Sequence, residues 1–286
     1  MPYLAFITVV WALSFNLIGM FLAGHVDSDF AVLSRVAIAG LVFLPFTRWY
    51  GISTLRKLGT MATGALQFGI TYLCLYRSFQ FLSVAEVLLF TIFTPIYITL
   101  LDDLCQKRFN SRALAAALIA VLGSLVIRYN QIDTHALNGF LLLQLANITF
   151  AAGQVGYRYL NQHYPDQQPQ SASFGYFFLG ALLIALPSYL MFGNPAKLPQ
   201  HLEEFATLGF LGLISSALGF YWWNKGACKV DAGTLGAMNN MHIPVGIVIN
   251  LLFWHQQQDM PRLFIGGIIM LLALLINKSA WQNKAR

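Results

Sequence analysis

Arg35 is the residue with the sharpest chemical meaning in this chain, because it sits in the apolar run VLSRVAIAG about six residues inside a helix. An arginine at a bilayer centre costs roughly 2.5–3.5 kcal/mol on insertion scales, and such residues usually face the bundle interior. Two readings stand side by side. The guanidinium is a two-pronged ligand for a carboxylate, or it makes a structural ion pair or snorkels outward. Glu86 and Arg77 bracket a short turn nearby in sequence. Glu86 either pairs with Arg35 or Arg77 and releases it when a solute arrives, or binds a coupling proton. The plain alternative is an exposed interfacial pair worth about 0–1 kcal/mol.

Neutral polar groups recur at helical spacing. Asn147, Gln154 and Tyr157 are separated by seven and three residues, which places them on one face, with Gln144 a turn earlier. That face either lines a cavity or makes interhelical hydrogen bonds, each worth about 0.6 kcal/mol in membranes. Asn239, Asn240 and His242 precede Pro244; Asn239 and His242, three apart, are the pair expected to face inward. His242 is either a proton carrier or a hydrogen-bonded structural histidine. Trp11 and Tyr72, deep in their helices, are candidate walls for a ring-bearing solute, whereas Phe15 and Tyr221–Trp223 fit walls or interfacial belts. Cys74, Cys105 and Cys228 have no metal-ligand spacing, and no nucleophile elbow, HEXXH or phosphate loop occurs. The residues call for no catalytic group, metal or cofactor.

The elements that must carry these residues are membrane spans. The chain is 57% hydrophobic and only 10% charged, far from soluble averages. Its basic residues are scattered at helix ends, so the net charge of +6 does not suggest nucleic acid. Ten runs approach the roughly 20-residue bilayer crossing: Tyr3–Gly24, Asp29–Thr47, Leu58–Phe79, Leu82–Leu101, Arg112–Ile127, Ala136–Tyr157, Ala172–Phe192, Phe205–Lys225, Gly233–Trp254 and Leu263–Ala280. The first has a long apolar run and no basic start, so it reads as retained rather than as a cleaved signal. With the N-terminus in the cytoplasm, twelve Lys and Arg side chains fall on the cytoplasmic side and four outside. That bias sets both termini inside and the His25–Asp29 and Asn194–Glu204 loops outside.

The chain also repeats itself. Pro244 follows Pro95 by 149 residues, and Tyr221 follows Tyr72 by the same step. Each proline interrupts an apolar helix near its middle, where in a bilayer neighbouring helices re-satisfy the freed backbone. Five spans per half make the repeats inverted: residues 1–130 and 131–286, joined at IRYNQIDTH. Paired broken helices point to a site at the repeat interface, with Pro95 and Pro244 as gating elements.

Ten helices in two inverted repeats, WALSF in the first and a proline in the fourth and ninth, resemble the drug/metabolite transporter superfamily, the EamA-like carriers. VLSRVAIAGLVFLPF, SVAEVLLFTIFTPIYITLL, LQLANITFAAGQVGY and VDAGTLGAMNNMHIPVGIVINLLFWHQQ are similar to its proteobacterial biotin-transporter branch, also described as carboxylate/amino-acid/amine transporters. The superfamily more often has a glutamate after its fourth and ninth helices; here Asp102–Asp103 and Gln256–Gln258 stand there. The resemblance implies a secondary carrier in a bacterial inner membrane, taking up biotin by alternating access, without a nucleotide-binding subunit and with lipid around it. An exporter of amino acids or related metabolites is the rival within the class; a membrane-embedded enzyme or scaffold is the rival outside it.

Overall fold

The computed structural model describes residues 2–107 apart from Ser83, residues 137–254 apart from Asp166, and isolated positions within 109–122 and 261–272. Every element among them is helical. We number these α1 (Pro2–Leu22), α2 (Ser28–Phe46), α3 (Thr54–Ser78), α4 (Val84–Phe90 continuing through Thr91–Phe93 into Thr94–Cys105), α5 (Leu137–His163), α6 (Gln170–Phe192), α7 (Leu202–Ala227), α8 (Ala232–Asn240) and α9 (His242–Trp254). Seven of the described helices, α1 to α7, are long and apolar enough to cross a membrane, so the chain is an all-α multi-pass membrane protein. The expected fifth and tenth spans lie largely outside the described residues.

Helix bounds follow local chemistry. The Ser53 hydroxyl accepts the Arg56 amide at 3.3 Å, so α3 begins a turn before its apolar run. The polar continuation Arg158–His163 extends α5 beyond the apolar stretch that hydropathy detects. The ninth expected span is two helices, α8 and α9, separated at Met241, three residues before Pro244. Its counterpart breaks in the same way: Thr91–Phe93 forms a tighter 3-10 turn just before Pro95. Proline has no N–H for the preceding turn and its ring crowds the carbonyl there, which favours a break at these two positions, whereas Pro187 stands inside the continuous helix α6.

Packing repeats the internal order of the sequence. The third expected span (α3) lies on the sixth and seventh (α5, α6), as the eighth (α7) lies on the first and second (α1, α2). The fourth (α4) lies on the sixth (α5), as the ninth (α8–α9) lies on the first (α1), and the two broken helices meet each other. Small residues allow these approaches. A Cβ on Gly64 would meet the Phe177 carbonyl at 1.8 Å, and one on Gly180 the Met61 carbonyl at 1.9 Å, so α3 and α6 touch backbone to backbone. Gly236 receives Pro95 where α4 crosses α8. α3 and α7 each contain a π-helical stretch, Ala65–Ile70 and Leu211–Leu218. The 149-residue step lays one over the other. Such wider turns leave carbonyls free and recur at functional sites.

Candidate functional site

The π-helical stretch of α7 builds the surroundings of Arg35. It turns two consecutive serines toward α2, and Arg35 donates from Nε to Ser216 Oγ at 3.1 Å and from Nη2 to Ser215 Oγ at 3.3 Å. A third bond runs from Nη1 to the Tyr76 hydroxyl of α3 at 3.0 Å. The guanidinium carbon stands 4.3 Å from the Tyr72 ring centre, with Phe68 and Tyr76 rings at 5.8 Å. Arg35 is 0% exposed. Its charge therefore meets three neutral hydroxyls and aromatic faces. The ion pairs among the described residues are Arg77–Asp29 and Arg158–Asp102, neither of which involves Arg35.

Beside this group lies a small central cavity of about 50 Å³. Trp11, Phe15, Tyr72, Asn147, Asn239 and His242 line it, with Thr71, Thr91 and Phe150. Helices α1, α3, α4, α5, α8 and α9 thus converge there. Trp11 donates to the Ser215 carbonyl at 3.1 Å, so the π-helical stretch anchors both a cavity wall and the arginine. Phe15 stacks on the His242 imidazole, with centroids 5.2 Å apart and planes 10° apart. The His242 ring is within 3.4 Å of the Thr91 hydroxyl and contacts the Asn239 carbonyl through Nδ1. At 50 Å³ the cavity holds a water or two, whereas small-molecule pockets occupy about 300–1,000 Å³.

The polar residues of α5 divide into two groups. Asn147 donates to the Phe90 carbonyl at 2.7 Å, and Gln144 reaches the same oxygen at 3.3 Å. Asn240 donates to the Ile92 carbonyl at 3.1 Å. These amides satisfy the backbone released ahead of Pro95. Asn16 of α1 ties α9 to α1 by donating to the Gly246 carbonyl at 3.2 Å. Farther along α5, Gln154 Oε1 accepts from Trp223 at 2.9 Å and lies 3.5 Å from the Asn239 amide, while its own Nε2 has no partner among the described residues. Tyr157 is elsewhere. It is buried with its ring edge-on to Phe174, centroids 5.6 Å apart, and does not line the central cavity.

Of the residues singled out from sequence, Trp11, Tyr72, Asn147, Asn239 and His242 therefore share one cavity; Arg35 adjoins it through Tyr72, and Gln154 through Asn239. Arg77 does not pair with Glu86. It reaches Asp29 at 2.7 Å and Ser188 at 3.1 Å, and Ser188 in turn donates to Asp29 at 2.5 Å. Asp29 lies in the first turn of α2, four residues past His25, and the end of α3 passes directly over it. Glu86 is half-buried in the first turn of α4. Sequence reasoning missed Tyr76, Ser215 and Ser216. The signals were present: Tyr76 lies four residues after Tyr72 on the same face, and LGLISSALGF has two hydroxyls in an otherwise apolar run.

Comparison with known proteins identifies the family. The family profile described as EamA-like transporter family matches residues 2–129 and again 137–279. A protein of Pseudomonas aeruginosa named "Probable biotin transporter" is 59% identical over 278 residues, covering 97% of each chain. The "Biotin transporter" of Escherichia coli K12 is 46% identical over 280 residues, 97% of this chain and 93% of that one. A solved crystal structure superposes with a TM-score of 0.77 at 16% identity, covering 96% of this chain and 97% of the other. At that identity it speaks for the fold alone.

Proposed function

We propose that this chain, which belongs to the EamA-like transporter family, carries biotin into a bacterial cell as a secondary transporter, with Arg35 receiving the carboxylate. One observation carries the assignment of the site: a fully buried guanidinium held by hydroxyls and ring faces, with no carboxylate against it among the described residues. Burying a charge without a counterion is costly. A solute carboxylate would replace weak neutral acceptors with a charge-assisted, two-pronged pair.

Biotin has a carboxylate at one end of a flexible chain and a ureido-bearing ring system at the other. Arg35 serves the first end. Trp11 and Tyr72 supply apolar walls, and Asn147, Gln154, Asn239 and His242 supply donors and acceptors for the second. The cavity of about 50 Å³ must widen to admit the solute. The two proline breaks are placed for that, since α4 and α8 cross at Pro95 and Gly236 and their breaks border the cavity through Thr91 and His242. Residues 1–130 and 131–286 act as the two rocking halves around this site. The charge bias of the loops supports an inner-membrane orientation with both termini cytoplasmic.

The test is flux. Purified protein in liposomes, with no other component, should exchange labelled biotin and should be inhibited by unlabelled biotin. Protein-free liposomes set the background. A folded, reconstituted protein that gives no biotin flux above that background rejects the assignment of solute.

A further inference from the structure

A second cavity lies on the other side of Tyr76. It measures about 580 Å³, within the range of small-molecule sites and far larger than the central space. It sits at the end of the molecule where α1 turns into α2, and Leu22, Asp27, Tyr76, Gln80, Asn194 and Lys197 are among its walls. The loop charges place this end outside.

Among the described residues, Tyr76 is the side chain shared with the arginine. It lines this cavity and is only 4% exposed, while its hydroxyl accepts from Arg35 at 3.0 Å. A molecule in the vestibule is thus one phenol away from the buried cation. Two charges lie around its walls, and they are not equivalent. The Asp27 carboxylate is engaged by the Phe30 amide at 2.8 Å as the cap of α2. The Lys197 ammonium is exposed and has no hydrogen bond or ion pair among the described residues. The vestibule therefore offers a free cation at its rim, apolar wall from Ile18, Leu22 and Phe79, and Tyr76 at its floor.

We infer that this vestibule is an entry site for a monocarboxylate with an apolar body, in which the solute lodges before Tyr76 turns aside and yields Arg35 to it. Lys197 draws the carboxylate to the rim. Tyr76 swaps its place on Nη1 with the carboxylate oxygen, a change of hydrogen-bond partner with no covalent step. The inference rests on the reading of Arg35 as the carboxylate's receiver and adds a separate station before it.

The experiment places a reporter in the vestibule. Gln80→Cys, made in a protein with Cys74→Ala, Cys105→Ser and Cys228→Ser, is labelled with a membrane-impermeant thiol reagent with and without excess biotin. Biotin flux is measured on the same preparation. Biotin should slow labelling, and it should still do so when Arg35→Gln is added, because occupancy of the vestibule precedes contact with Arg35. Adding Lys197→Gln should raise the biotin concentration that half-protects by several-fold. A carrier that moves biotin yet shows no protection overturns the entry site while leaving the biotin reading intact. Protection that disappears with Arg35→Gln also overturns it, since the effect then comes from binding at the centre. Absence of flux in the unsubstituted, folded and reconstituted protein removes the biotin reading and this inference together.

Discussion

Arg35 and Arg158 are both buried arginines, and the chain treats them in opposite ways. Arg158, near the end of α5, donates to the Asp102 carboxylate of α4 at 2.9 Å, with side-chain exposures of 8% and 7%. Gln106 fastens the other oxygen of Asp102 at 2.8 Å. That end of the bundle is also tied by Arg56, which donates to the Tyr164 carbonyl at 2.8 Å and to Asn161 at 2.6 Å. Arg35 has three hydroxyls and three rings instead. A compensated pair is a fastening. A charge held by neutral hydroxyls and ring faces is the feature on which the proposed carboxylate site rests. The opposite end of the molecule agrees with this division, since its roomy vestibule reaches Arg35 through Tyr76.

The largest effect should fall on stability at the fastened end. Arg158→Gln strands a buried carboxylate and should cost about 3–5 kcal/mol. Thermal inactivation in detergent should show a clear drop in midpoint, and Asp102→Asn added to it should recover most of the loss. Arg35→Gln strands no opposite charge, so its midpoint should stay level or rise. Equal destabilisation by the two single substitutions would erase the contrast between the arginines.

Next in size comes the chemistry of the Arg35 group itself. Arg35→Lys keeps the charge but loses the planar fork. Biotin transport should fall about tenfold in apparent affinity, corresponding to ~1.4 kcal/mol, with protein abundance unchanged. Full activity of the lysine variant would mean that point charge suffices. The Tyr72 ring, 4.3 Å from the guanidinium carbon, holds the cation by a contact worth about 0.5–2 kcal/mol. Tyr72→Leu should therefore weaken biotin uptake several-fold while Tyr72→Phe leaves it near the unsubstituted level; identical losses would point to the hydroxyl rather than the ring.

The smallest effects concern the breaks. Pro95→Ala and Pro244→Ala should insert normally and slow transport a few-fold, by changing the balance between outward- and inward-open states. Unchanged flux at normal membrane abundance in both would reduce the prolines to packing features.

How much of this was legible in the sequence follows from what hydropathy and spacing can carry. Seven spans are long apolar runs, and the structure puts them where the sequence does, to within a turn or two. The two proline breaks are legible because proline removes a donor wherever it stands. The π-helical stretches Ala65–Ile70 and Leu211–Leu218 are not, since a wider turn has the same composition as an ordinary one. Arg35 is conspicuous as a charge in an apolar run, but Ser215 and Ser216 lie 180 and 181 residues away. Proximity in sequence misled at Arg77: Glu86 is nearby in the chain, yet Asp29 lies beneath the end of α3. The stripe on α5 was visible as a stripe, but its division was not. Asn147 and Gln144 are bound to the carbonyl of Phe90 because α4 breaks beside them, which only packing reveals.

The most direct measurement compares biotin with its neutral carboxamide as competitors for uptake, in the unsubstituted protein and in Arg35→Gln at matched membrane abundance. A charge-assisted hydrogen bond contributes roughly 1.5–3 kcal/mol, so the unsubstituted protein should prefer the acid by about ten- to a hundredfold. Arg35→Gln should lose most of that preference while its affinity for the carboxamide changes little. If Arg35→Gln discriminates acid from amide as well as the unsubstituted protein does, the carboxylate is bound elsewhere and Arg35 is structural.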